Sequence, residues 1–532
     1  MSPKSYKRLI FALIAVLLLV LLCVIPVAAQ DSTAQADSGS VLIFANNLDP
    51  TTLDPDVSDD AQSNIFKLGF YEGLVRWATD GKTIEPSLAT SWDTSSDGLT
   101  WTFHLRQGVK FHDGTVMDAD AVKFSIDRMK TVNQGLAFTL ANVASVDVVD
   151  ANTVKFTLSQ PDITFFQGLP GIPVMSPTTF QPHMDDKNAT EFAFDHESGT
   201  GPYTLTSWTR GSRVEIQKFD DYWGGWSQPH VDRFVELIVP EAETRHLMLE
   251  RGDIDLLPKL EDQVNDIPAI QANSALTIDT FPSQSIVYEV MSNVKGPLAD
   301  VRVRQAISYA FDYDAALQVA FGGVAKQARG PLSSSLPYFD PDLFQYHRDL
   351  DKAKQLLTEA GYPNGFQIQF GYVGSSSAQT LTEGVLQSSL ADVGITIVPQ
   401  AQTFAALLTA FQNPDTAPDM FNLNNHSEYP DPDFTLSRFF SIAAQGTGGD
   451  NGGYYTNKDV DALIAQGRTT SDPTQRADIY KKIQEQIVAD APAIWVAETQ
   501  FIVGHKSNVK GIEYIPAFDR TLGYLNSIYI DQ

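Results

Sequence analysis

The sequence predicts a mixed α/β chain of at least two lobes, and three observations carry that reading. Its 532 residues exceed what one hydrophobic core ordinarily serves. From about Thr79 to Glu197, short alternating segments are separated by turn residues, which is the pattern of hairpins. Beyond about Pro282, strands alternate with longer helices, as in a layered α/β lobe.

At the N-terminus, Lys4, Lys7 and Arg8 precede an apolar run from Leu9 to Val27, and Val27-Ala28-Ala29 offers a small-residue cleavage site before Gln30. Residues 1–29 are therefore expected to be an export signal. The run is long enough to span a bilayer, so an uncleaved anchor is the alternative. Cys23 is the only cysteine, and Leu22 before it does not suit a lipoprotein signal, so lipidation is rejected. The exported chain is expected to lack disulfides and thiol chemistry. Lys+Arg of 37 against Asp+Glu of 65 gives a formal charge of −28, which makes nucleic acid and anionic lipid poor partners. The simplest use of such an exterior is solubility. The small polar stretch around 30–40 reads as a linker.

Val41–Ala45 follows as a short strand, Leu48–Pro55 as a loop punctuated by Pro and Asp, and Ile65–Leu74 as a helix. Leu99, Trp101, Phe103 and Leu105 alternate as a strand. Turns at Arg106-Gln107-Gly108 and Asp113-Gly114 bracket a second short one. Asp118 or Asp120 caps a helix whose Val122, Ile126 and Met129 share a buried face. Val146–Val148 pairs through Asp150-Ala151-Asn152 with Val154–Leu158. Tyr203–Leu205 and Val214–Ile216 form another hairpin, followed by a strand at Val231–Val239 and a helix at Glu241–Glu250 stopped by Gly252. In the later lobe, helices are expected at Asp349–Ala360 and from Asp472-Pro473 to about Ala489. Strands are expected at Phe366–Phe370, Ile395–Val398 and Met420–Leu423, with a return strand at Ala493–Ala497. The Gly-rich stretch from Gln445 to Gly453 reads as a loop.

The segment from Ser87 to Met129, SLATSWDTSSDGLTWTFHLRQGVKFHDGTVMDADAVKFSIDRM, resembles the family 5 extracytoplasmic solute-binding proteins of ABC importers, whose members take peptides, nickel complexes or oligosaccharides. The likeness recurs at GTGPYTLTSW from Gly199, DDYWGG from Asp220, LADVRVRQAISYAFD from Leu298, DLDKAKQLLTEAGYP from Asp349, YPDPDF from Tyr429 and NGGYYTNKDVDALI from Asn451. It implies a bilobal α/β fold of the periplasmic-binding-protein type (type II) with an extra hairpin-rich subdomain inserted in lobe one. The implied boundaries are 41–78 and 199–281 for lobe one, 79–198 for the insertion, 282–500 for lobe two and 501–532 for a return to lobe one. It also implies a peptide ligand held between the lobes, a separate permease and ATPase as partners, a monomer, and neither cofactor nor catalysis.

In peptide-binding relatives an acidic residue three positions before an Asp-Pro or Glu-Pro pair accepts the ligand's ammonium. Asp431-Pro432 gives that position to Glu428, one methylene longer than the usual aspartate. A desolvated ammonium needs such a carboxylate partner. Asn424, Asn425 and His426, at the end of the preceding strand, are expected to offer hydrogen bonds to an extended peptide. Some peptide receptors carry a basic residue near the start of that strand, where this chain has Asn422. Phe404 stands where relatives often carry tryptophan and is read either as an aromatic wall or as part of a helix core with Leu407 and Leu408. Asp60 and Ala61 match a ligand-contacting position of the first lobe.

Oligosaccharide is the rival ligand, since Trp208, Trp223 and Trp226 are among seven tryptophans, although their place near a hairpin favours a structural role. A nickel chelate held by His426 is a further alternative. The nine histidines are scattered, so a metal cage made by protein alone is not expected. No enzyme motif survives inspection. Gly81-Lys82-Thr83 lacks the upstream glycine of a phosphate loop, where Arg76 stands, and Asp431 with Asp433 reads as turn and cap residues.

Overall fold

Aspartate side chains start many of the helices. Asp60, Asp118, Asp349 and Asp472 accept backbone N–H groups at the heads of Ala61–Phe70, Ala119–Val132, Leu350–Glu359 and Pro473–Asp490. The first of these helices begins four residues before the expected Ile65, because the Asp60 cap fixes its start. The computed structural model describes residues 39–531 except 59, 185–186, 375, 428, 447–448 and 519–520. The expected export signal and nearly all of the linker lie outside the described residues.

The described residues build a ten-stranded mixed sheet. From one edge its strands run Thr396–Gln402, Gln367–Val373, Met420–Asn425, Leu276–Met291, Ala493–Lys506, Leu256–Leu257, Val41–Asn46, Arg233–Ile238, Arg213–Lys218 and Tyr203–Thr209. Two of them are long: Leu276–Met291 has 16 residues and Ala493–Lys506 has 14. Pro282 does not break the first, and the second runs well past the expected end at Ala497. They pair antiparallel along most of their length, with a bulge where Pro282 faces Gln500 and Ile286 faces Glu498. Ser283, Gln284 and Ser285 thus oppose Thr499 alone. Ser283 Oγ donates to the Thr499 carbonyl at 2.8 Å, and this satisfies part of what the interrupted ladder leaves open.

The apolar side chains segregate on either side of this bulge. One cluster joins Ile286, Tyr288, Phe370, Phe421, Ile483 and Trp495 with the helices that cover the far strands. Another joins Leu42, Phe44, Phe66, Tyr203 and Phe234 with Phe501, Val503, Tyr514 and Leu522. A separate four-stranded antiparallel sheet, ordered Ala89–Thr94, Thr100–Leu105, Thr153–Leu158, Val143–Asp150, has its own core. Phe103 and Phe156 of that sheet share the core with Val122, Ile126 and Met129 of the helix Ala119–Val132. The expected second short strand there is only an isolated bridge between Lys110 and Val116. Arg128 on the same helix is fully buried and bonds both Asp54 and Asp56, at 2.7 and 2.5 Å, fastening this sheet's helix to the loop after the first strand.

Candidate ligand-binding site

The strands Gln367–Val373, Thr396–Gln402 and Met420–Asn425 run parallel, so their carboxyl ends lie along one edge of the sheet. Ligands of open α/β sheets bind outside such ends. A cavity of about 140 Å³ lies there. Asn422 and Asn424 line it from one strand, Val287, Thr499 and Gln500 from the long crossing strands, and Ser376, Gln379 and Thr382 from the start of the helix Ser377–Ala391. Glu261, Val264, Phe321, Val324, Ala325 and Ala378 complete the wall.

Period-two alternation decides which side chains of Met420–Asn425 meet the cavity. Asn422 and Asn424 project to the same face, and Leu423 packs the other way into the core. Asn424 is exposed and its Oδ1 accepts from Ser285 Oγ at 2.6 Å, which ties the strand end to the bulge. Asn422 is buried, and its Nδ2 donates to Glu289 Oε1 at 2.8 Å. Asn422 Oδ1 and Glu289 Oε2 are both buried with no partner among the described residues. Burial pushes the Glu289 carboxyl up to about 8, and the Asn422 bond opposes this only in part. Glu236 repeats the arrangement beside the first strand. Asn46 Nδ2 donates to it at 2.5 Å, and burial again raises its carboxyl to about 8.

The segment after Asn425 is held from behind by charge. Arg476 makes a two-pronged bond to Asp431, at 2.6 and 2.8 Å, with both side chains buried. Asp431 also caps the helix Pro432–Phe440, in keeping with its reading as a cap residue. Asp433 takes Arg468 at 2.8 Å. On the outer side, Phe138, from the short helix Gly135–Leu140, packs on Tyr429 and Phe434 with ring centroids 6.4 and 5.9 Å away. Trp77, Tyr429, Phe434, Ile515 and Phe518 form one buried cluster. Tyr429 therefore meets residues far from it in the chain.

The predicted site residues are distributed as follows. Glu428 lies outside the described residues. His426 is half-buried just past the strand, and Asn425 is buried opposite Ile286. Of the six described, Asn424 alone lines the cavity. Phe404 is 58% exposed as the first residue of the helix Phe404–Phe411, while Leu407 of that helix is buried. Asp60 is half-buried, capping its helix and accepting from Ser63, with Ala61 next to it. The three tryptophans weighed for sugar binding are tied into the framework: Trp208 donates to Asp49, Trp223 to Glu72 and Trp226 to the Phe219 carbonyl. Sequence reasoning singled out Asn422 only as a missing cation. Among the described residues, no group of three or more His, Cys, Asp or Glu is placed to hold a metal ion, and no helix is long and apolar enough to cross a membrane.

Two lobes sharing a sheet, with a walled polar cavity at the strand ends, make the architecture of a ligand receptor. The chain belongs to the family described as "Bacterial extracellular solute-binding proteins, family 5 Middle", whose profile matches residues 83–447. It is 30% identical over 487 residues to the probable D,D-dipeptide-binding periplasmic protein DdpA of Escherichia coli strain K12, with 90% of this chain and 92% of that one covered. It is 32% identical over 476 residues to the glutathione-binding protein GsiB of Pectobacterium atrosepticum, with 88% of this chain and 90% of that one covered. Among solved structures, the periplasmic binding protein DppA of Helicobacter pylori, in complex with the peptide STSA, matches with a TM-score of 0.81 at 27% identity, covering 93% of this chain and 98% of that chain. The fold is the bilobal periplasmic-binding-protein type that the sequence led us to expect.

Proposed function

We propose that this protein is the extracytoplasmic receptor of an ABC importer, periplasmic or associated with the cell surface, and that it captures di- or oligopeptides between its lobes. It hands them unaltered to a membrane permease driven by an ATPase. It works as a monomer and meets the membrane only through that transporter or an uncleaved N-terminal anchor. Lobe one comprises 41–78 and 199–281 with 79–198 inserted, lobe two comprises 282–500, and 501–532 returns to lobe one. The separation of the apolar clusters supports the division into three parts, with Met175, Phe180 and Ala193 of the insertion packing into the lobe-one cluster and Leu74 and Val75 of lobe one into that of the insertion. In this reading Glu428 receives the peptide's ammonium and Asn424, Asn425 and His426 bond its main chain. Asp60 and Ala61 face it from the first lobe, and Phe404 walls one side chain.

The observation that carries the reading is the walled cavity beside the Asn424 strand end, in a chain whose relatives are described as dipeptide-binding and glutathione-binding. Ligand contacts that bridge both lobes stabilise the closed form, which is what a transporter can read. Native mass spectrometry of protein purified from its own host tests the ligand class. The expected result is a set of co-purified masses matching peptides, whereas sugar or metal-chelate masses would replace the assignment. Glu428→Gln is expected to weaken peptide binding at least tenfold by calorimetry, in line with the ~2–5 kcal/mol lost when one member of a buried charged pair is truncated. Unchanged affinity removes Glu428 from the site.

A further inference from the structure

We propose that the cavity under Asn422 is a specificity subsite for a positively charged, N–H-bearing group of the ligand, the guanidinium or ammonium of a basic side chain. This rests on the peptide-receptor reading and refines it. The cavity encloses about 140 Å³, room for a group the size of one side chain. Its polar lining consists of Glu261, Asn422, Asn424 and neutral amides and hydroxyls, and among the described residues that form it there is no lysine or arginine.

The unmet demand of the site is for donors. Asn422 gives one N–H of its amide to Glu289, and its carbonyl Oδ1 is buried and unpartnered among the described residues. Behind it Glu289 Oε2 is buried and equally unpartnered. An apolar ligand group would leave Asn422 Oδ1 desolvated and without a donor. A carboxylate would bring no donor to Asn422 Oδ1 and would sit in the same cavity as the Glu261 carboxyl. A guanidinium or ammonium supplies several donors at once, and its charge would draw the proton off the Glu289 carboxyl, which burial otherwise keeps protonated up to about pH 8. The hydrogen bond from Ser285 Oγ to Asn424 Oδ1 links the same wall to the bulge between the lobes, so a group seated here touches the segment at which the halves meet.

The test uses the exported chain and matched tripeptides carrying arginine, norleucine or glutamate at the second or third position, with affinities from calorimetry. n-Butylguanidine and n-butyrate serve as fragment probes by saturation-transfer NMR. The expected result is at least tenfold tighter binding of an arginine peptide than of its norleucine or glutamate partner. Glu289→Gln, which keeps the bond to Asn422, should reduce that preference at least fivefold, and Gln500→Lys, which puts a cation on the cavity wall, should turn it toward glutamate. Peptides that bind without an arginine preference, or that prefer glutamate, overturn the subsite and leave the peptide receptor standing. If no peptide binds but n-butylguanidine gives a signal that Glu289→Gln abolishes, the subsite holds and the peptide reading falls. No peptide binding and no n-butylguanidine signal would end both.

Discussion

Arg476 donates two bonds to Asp431 while both side chains lie out of water, so removing either strands a buried charge. Arg476→Ala is expected to lower the unfolding free energy by about 3–5 kcal/mol in urea titrations. Lys123→Ala, which breaks an exposed pair with Asp127, should change it by less than about 1 kcal/mol. Buried carboxyls act in the other direction. Glu236 and Glu289 are raised from 4.5 to about 8, so between those values the folded chain keeps protons that the unfolded chain releases. Their contribution is therefore complete below the unfolded carboxylate range and is lost as pH rises through about 8. Thermal unfolding of Glu236→Gln or Glu289→Gln should decline less steeply than wild type from about pH 5 to about pH 8, and an unchanged slope would refute the assignment. At this scale the sequence was readable wherever a side chain acts on its own neighbours. The Asp431 cap is such a case. Its Arg476 partner, 45 positions away, is not.

Elements were legible when their ends carried local chemistry. The helices at Leu350–Glu359 and Pro473–Asp490 start at the predicted aspartates, and the hairpin of Val146 with Phe156 forms as its alternation requires. The long crossing strands were not legible. Pro282 reads as a terminator, yet proline is tolerated where a ladder is already interrupted, and here it sits at the edge of a bulge. The loop near Ser333 is anchored to one of these strands through Glu498, which accepts from Ser333 Oγ at 3.0 Å and from Ser334 Oγ at 2.7 Å. Glu498→Ala takes the acceptor from Ser334 Oγ and from the Ser334 N–H, and should cost about 1–3 kcal/mol of stability in denaturant titrations. Lys326→Ala, at the exposed end of the same network, should cost less than about 1 kcal/mol.

The whole molecule shows why the cavity escaped prediction: its walls come from segments as far apart as Glu261 and Gln500, joined only when the sheet assembles. The two-lobed fold, by contrast, follows from length and the succession of elements. Phe138 against Tyr429 and Phe434 is a contact between distant parts of the chain, and aromatic pairs add about 0.5–1.5 kcal/mol each beyond the area they bury. Phe138→Ala should increase the ligand-free radius of gyration in small-angle scattering and weaken ligand binding by up to about tenfold; an unaltered radius would mean that the contact does not hold the closed form. The ten-stranded sheet has one more consequence. Because the chain goes out along Leu276–Met291 and comes back along its neighbour Ala493–Lys506, neither half owns a finished sheet. A truncated fragment would carry raw strand edges on Met420–Asn425 or Leu256–Leu257, and such edges recruit further copies. Expressing the halves separately should therefore give aggregates, and dissection of this receptor has to proceed by point substitution.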